Sequence, residues 1–412
     1  MLKHTAFPTK ESEDSPLIRI FRKPLLAAVL LFTTLSCWSF SAPLNNGFDP
    51  TFHLASIWCG WGESPGKCEN YGARDYGYGG NIPDQLRGLT TSEMSDQQIV
   101  DPHTRSLFYP IMRVFAGDNA TQSVLLMRLI QSFIASIIFG SLIHFSSRKM
   151  KTAVLSAWTF TMIPIIISTL PQTTPRSWAY LSGMSSWAYL MLALDRHKQK
   201  QNSKLLWILY GFSLFLAFAS RWDATLFVAF TTAVVLSIHF IKNNLMKFRT
   251  LVWFLVSGMV SMGLLRIIFP RLATYTSFDF GSTFTSGKTI FQLIHIPENI
   301  ADGLGLGVRL VDLGPNIIGI IGLILFTFVL TQSLAYANKF QIFSVVSVSA
   351  FMFAAMFQIT LSWTEQIGPS GVYVVQLLTV MLGLSIALAD SEQLFLHRKL
   401  NQVIFISLLG FS

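Results

Sequence analysis

The chain has 412 residues, of which 51% are hydrophobic and only 12% charged, and its formal net charge is +9. Soluble domains carry about 25% charged residues, so a deficit spread along the whole chain excludes an ordinary soluble domain and points to a polytopic membrane protein. The basic residues concentrate in short segments between apolar runs, which fits loops facing anionic lipid and argues against a nucleic-acid surface.

Taken in chain order, a basic leader over 1–23 precedes a series of apolar runs of spanning length, roughly 17–25 residues each. They lie near 24–42, 120–144, 152–170, 177–194, 204–219, 223–241, 250–269, 316–336, 341–362 and 371–389. A further run begins near Gln402, and the chain stops inside it at Ser412. The predicted fold is all-α: a polytopic integral membrane protein with about 11 transmembrane helices. Its domain plan is a cytoplasmic tail over 1–23 and one transmembrane domain over 24–412, with long extracytoplasmic loops over 43–119 and 270–315. Lys and Arg dominate alternate connections and Asp and Glu the others, which puts the N-terminus in the cytoplasm and the chain in the plasma membrane.

The first run reads as an uncleaved helix, because its basic leader is long and Pro43 follows the small-residue site SFSA. Cys37 within it is expected to be a small buried hydrophobe. The loop that follows opens with FDPTFHLASIWCGWGESPGKC, residues 48–68. Cys59 and Cys68 both fall outside the reducing cytoplasm there, so a disulfide is expected. Closing so short a loop stabilises it by roughly 2–3 kcal/mol. Asp49 followed by Pro50 is a helix start, an N-cap acid before a proline at the first helical position. In that helix Phe52, Ala55, Trp58 and Cys59 share one face and His53 and Ser56 the other. Asp49 also follows the first span at once, at the level of a lipid headgroup, with His53 one turn on. Capping and acid–base chemistry both suit it. The same pattern recurs in DPHTRSLFYP, where Asp101 reads as a cap and Arg105 as a nearby cation.

Arg128, in SVLLMRLIQSF, is the sharper anomaly. It falls two turns into the second span, roughly 10 Å deep at 1.5 Å per residue. A cation there costs several kcal/mol unless paired or hydrated, so it is a functional candidate, with snorkelling to the interface as the alternative. Arg176, in TTPRSWAY at the start of the fourth span, belongs to PQTTPR (171–176), a short polar outer connection. The glycine-rich GLGLGVRL at 303–310 follows no strand, so no dinucleotide site is read there. No helix-spaced His/Glu pair suggests a metal. No cofactor is expected.

Several stretches resemble a known family: FDPTFHLASIWC after the first span, LLMRLIQS in the second, PRSWAYLSG opening the fourth, SRWDA between the fifth and sixth, and QIGPSGVYVVQLL before the tenth. The chain is similar to a bacterial family of predicted membrane proteins of unknown function, well represented in actinobacteria. The layout also resembles that of GT-C glycosyltransferases, multi-span enzymes whose long first outer loop carries an acid just after the first span. The resemblance implies sugar transfer from a polyprenyl-phosphate donor to a cell-envelope glycan acceptor on the outer face. Asp49 would be the acid of that loop and His53 its companion. Arg128, Arg176 and Arg105 would be the cations for the phosphate. Two positions depart from the pattern: Pro50 stands where a second acid is common, and Pro369-Ser370 where Pro-Arg is common. Membrane lipid is an implied partner in any case. The competing readings are a lipid-linked glycan flippase and a non-catalytic scaffold of envelope assembly.

Overall fold

Pro24 begins the first helix because a proline at the first helical position loses no hydrogen bond and arrives with its φ already set. The computed structural model describes residues 23–43, 53–54, 57–58, 106–161, 164–220 and 222–242, together with positions 380, 383, 384 and 387. Helix α1, Pro24–Ser41, ends where Pro43 forces its neighbour out of the helical region. Ala42 is accordingly extended, with φ −81° and ψ 126°. A short helix α2, Phe108–Arg113, leads to α3, Ala120–Phe145. Asn119 caps α3, its Oδ1 accepting from the Gln122 amide at 3.1 Å.

The predicted span at 152–170 is divided in two, into α4, Arg148–Thr161, and α5, Pro164–Thr169. The second piece opens on a proline, which can start a helix but cannot donate to the preceding turn of one. The spans read at 177–194, 204–219 and 223–241 are single helices: α6, Pro175–Lys198; α7, Lys204–Ser220; and α8, Trp222–Lys242. The four described residues of the 371–389 run, Val380, Gly383, Leu384 and Ala387, are also helical. The runs at 250–269, 316–336 and 341–362 and the one beginning at Gln402 lie outside the described residues. No strand occurs among the described residues.

Helix α6 is the axis of the described bundle. Every residue from Pro175 to Leu190 is buried, and the helix packs against α3, α7 and α8. Cross-helix hydrogen bonds fix its neighbours: Ser185 to Ser213 of α7 at 2.8 Å, and Tyr189 to Ser141 of α3 at 2.5 Å. Its C-terminus closes with two bonds, from the Gln201 amide to Arg196 O at 2.9 Å and from the Lys200 amide to His197 O at 3.0 Å. That pair of bonds is a Schellman motif and requires a left-handed residue at its turn. Here the residue is Lys200, with φ 56°. Midway along α6, a Cβ at Gly383 would overlap the Trp187 ring, so the glycine permits this close approach to the helix.

Helices α1 and α3 run antiparallel. At one end, a Cβ on Gly140 would come 2.8 Å from Ala28 Cβ and 3.2 Å from the Pro24 carbonyl, so small residues set the approach. At the other end Ser39 meets Ser132 at 3.4 Å. Only one stripe of α1, Ala27, Leu35, Ser36 and Ser39, is buried by this contact. Cys37 lies off the stripe and is exposed, which corrects the expectation that it is buried.

Among the described residues two helices, α1 and α3, are long and apolar enough to cross a membrane, and α7 is a shorter apolar helix. Their surfaces are inverted relative to a soluble bundle. Leu126, Phe133 and Ile137 of α3 are exposed, while Arg128, Gln131, Ser132 and Ser136 of the same helix are buried. Helix α6 carries Ser177, Ser182, Ser185 and Ser186 inside the protein. Water would reverse such a pattern, whereas lipid favours it.

Candidate functional site

The buried polar groups of α3 recur at positions 128, 131, 132 and 136, which a 3.6-residue period stacks on one face. Arg128 heads the row and is 5% exposed. Its guanidinium donates to the end of α1: Nη1 to Ala42 O at 2.7 Å and Ser39 O at 3.4 Å, and Nη2 to Pro43 O at 2.7 Å. The last carbonyls of a helix have no partner of their own, and the helix end carries partial negative charge. A planar cation with several donors answers both needs. Arg128 is therefore paired within the protein, with the end of α1 as its partner.

One turn along the row, Gln131 is fully buried. Its Oε1 accepts from Trp178 Nε1 at 2.7 Å, and its Nε2 donates to Met112 Sδ at 3.2 Å. Trp178 packs edge-on against Phe108, with ring centroids 5.0 Å apart, and Phe108 packs edge-on against Tyr109. The Tyr109 hydroxyl lies 2.8 Å from His53 Nδ1, and the two rings stack. An unbroken set of contacts thus runs from His53 through α2 to α6 and α3. Helix α2 is held in this position by Ser106, whose hydroxyl donates to Ala219 O of α7 at 2.6 Å while accepting from the Phe108 amide at 3.2 Å. Trp58 adds a bond from Nε1 to Gly117 O at 3.2 Å.

His53 is 8% exposed and helical, as are Leu54, Ile57 and Trp58, which are buried with it. The helix expected after Asp49 is present at these positions. Burial is not confined to one face here, because His53, which spacing sets apart from Trp58, is buried as well. Spacing alone gave no account of Tyr109, whose hydroxyl offers the imidazole a partner and so favours burial.

Arg176 is the second residue of α6 and is buried, as is all of 171–176. The short polar connection read from the sequence is therefore buried within the protein. The structure brings His53, Arg128 and Arg176 to the same end of the bundle, where α1 terminates and α3 and α6 begin. Asp49, Arg105, Cys59 and Cys68 lie outside the described residues. Sequence reasoning did not single out Tyr109, Gln131 or Trp178. Gln131 carried a readable signal, a second polar residue three positions after Arg128 in an apolar run. Among the described residues no group of three or more His, Cys, Asp or Glu side chains could hold a metal ion.

A buried imidazole bonded to a phenol can accept and pass a proton. Two buried arginines can attract an anion in a medium where charge is poorly screened. Helices with apolar exteriors and polar interiors define a helical membrane protein. The chain belongs to the family described as "Predicted membrane protein (DUF2142)", whose model matches residues 31–301, and so covers the C-terminal part of α1, all of α2 to α8 and every candidate site residue named above. No curated protein and no solved structure matches it.

Proposed function

We propose that the protein is a GT-C-like glycosyltransferase of the plasma membrane that moves a sugar from a polyprenyl-phosphate donor to a cell-envelope glycan acceptor. In this reading the N-terminus is cytoplasmic and about eleven helices span the bilayer. The loops at 43–119 and 270–315 face outward, and the chemistry occurs at the outer headgroup level. The acceptor hydroxyl attacks the anomeric carbon, the bond from that carbon to the phosphate oxygen breaks, and polyprenyl phosphate leaves. Asp49 takes the hydroxyl proton, oriented or assisted by His53. Tyr109 holds the imidazole through Nδ1 and so directs Nε2 away from itself. Arg128, Arg176 and Arg105 balance the charge on the departing phosphate.

One observation carries the reading: His53, Arg128 and Arg176, from three separate segments, are all buried at one end of the bundle. The charged candidates Arg128 and Arg176 lie at this end with His53, whereas the polar groups buried midway along α3 and α6, Gln131 and the serines, are uncharged. Passage of a substrate through the bundle would call for the opposite arrangement. The donor class comes from the GT-C resemblance alone.

The test is transfer of radiolabelled sugar from a panel of polyprenyl-phosphate donors by purified protein, comparing wild type with Asp49→Asn and Tyr109→Phe at matched folding. Transfer lost in Asp49→Asn and reduced in Tyr109→Phe is expected. Transfer undiminished in Asp49→Asn would remove the carboxylate from the mechanism. No transfer from any competent donor would turn the assignment toward a flippase or scaffold.

A further inference from the structure

The connection between α5 and α6 buries polar side chains, and two of their atoms find no partner within the protein. Its sequence is PQTTPR, and Gln172, Thr174 and Arg176 are only 6%, 3% and 8% exposed. A connection buried this far must find partners for its polar atoms within the protein. Gln172 Oε1 and Thr174 Oγ1 have none and are shut off from solvent.

Thr174 is the N-cap of α6, where a threonine hydroxyl ordinarily accepts from an amide of the first turn. Here its side chain makes no capping bond. The Ser177 amide goes instead to the Thr174 carbonyl at 3.1 Å, and Pro175 has no amide proton to offer. The hydroxyl therefore sits at the mouth of a 24-residue helix with its proton available to a guest. The Gln172 amide can turn either its oxygen or its nitrogen toward the same guest. The helix N-terminus brings partial positive charge, and Arg176, at the second helical position, adds a full one. The sequence of the connection and of the first turn of α6 contains no carboxylate. A set that is rich in donors and positive in charge suits an oxyanion with several acceptor oxygens better than a sugar hydroxyl.

We propose that the mouth of α6 binds a phosphate group, gripped by the Thr174 hydroxyl, the Gln172 amide and Arg176 at the positive end of the helix. The site stands on the geometry of α6 and does not require sugar transfer; only the identity of a lipid carrier rests on the reading above. Keeping a hydroxyl buried and unpartnered destabilises the empty protein, and a guest that accepts its proton removes that cost.

Calorimetric titration of the full-length protein in detergent, with inorganic phosphate in one arm and a short-chain polyprenyl phosphate in the other, tests this. Thr174→Val removes the hydroxyl at nearly constant volume, and Thr174→Ser restores it. The expected result is binding to the wild type, weakened about tenfold or more in Thr174→Val and recovered in Thr174→Ser. Gln172→Met is expected to weaken the same ligand. Binding of the lipid alone would identify a headgroup as the source, and equal binding of both probes would identify free phosphate. The ligand-free Thr174→Val protein is expected to unfold at or above the wild-type temperature. A lower temperature would mean that the hydroxyl is already bonded within the protein, and would overturn the proposal. So would binding of neither probe, or binding that is the same in wild type, Thr174→Val and Gln172→Met. Phosphate binding without sugar transfer would leave this site and remove the transferase. Transfer unchanged in Thr174→Val, with phosphate binding weakened, would leave this site and separate it from the transferase.

Discussion

Arg128 offers the most direct test of how this end of the bundle is built. Replacing it with Met keeps the length of the side chain and removes three donated hydrogen bonds, two of them at 2.7 Å, from the carbonyls of Ser39, Ala42 and Pro43. A hydrogen bond from a charged donor contributes about 1.5–3 kcal/mol net, and stranding a buried acceptor costs a further share of its desolvation. The three bonds share one side chain, and the longest is weak, so they do not add in full. Burying an arginine has its own cost, which Met relieves. The balance is a loss of roughly 3 kcal/mol for Arg128→Met. Arg128→Lys keeps the charge at the helix end but cannot fork across two carbonyls, so about half of that loss is expected. The assay is unfolding of the ligand-free protein in detergent, followed by tryptophan fluorescence, with the order of stability wild type, Lys, Met. An unfolding midpoint for Arg128→Met equal to that of the wild type would refute the reasoning. The guanidinium would then contribute nothing net to α1, and its burial would need a ligand to explain it.

Three further outcomes are expected. Lys200→Gly should stabilise the protein by about 1 kcal/mol, because the left-handed turn that closes α6 costs a residue with a Cβ what it does not cost glycine; thermal unfolding at matched detergent checks this. Gly383→Ala should destabilise by about 1–3 kcal/mol through overlap with the Trp187 ring. Trp187→Leu should recover part of that loss, and a double-mutant cycle in which the two changes simply add would contradict the contact. Cys37, exposed on α1, should be alkylated in the folded protein by an apolar maleimide, as read by peptide mass spectrometry; labelling only after denaturation would place it back inside the bundle.

Helix positions were largely legible in the sequence, because each helix is an apolar run closed by a local signal. Pro24 and Pro43 bracket α1, and Asn119 caps α3. Pro175 starts α6. Among the described residues, the run at 152–170 falls in two helices, the second opening at Pro164, whose power to start a helix was outweighed by uninterrupted hydrophobicity. The site was legible residue by residue but not as an assembly. Arg128 was visible as a misplaced cation and His53 as a histidine near an acid. Their partners were not visible: carbonyls at the end of α1 some 85–89 residues away, and a phenol 56 residues away.

The sequence by itself determined the class of protein and the placement of most of the described helices, because hydropathy, proline geometry and capping act over a few residues. Only the tertiary structure decided which side of each helix faces the protein. Cys37, on an apolar helix, turned out to lie on its exposed side, and His53 on a buried one. Only the tertiary structure made PQTTPR an interior connection with two unpartnered polar atoms, and Arg128 the cap of α1. The physical reason is that in lipid an apolar surface has no preferred direction. Orientation is then set by where buried polar groups find partners, and those partners lie on other helices.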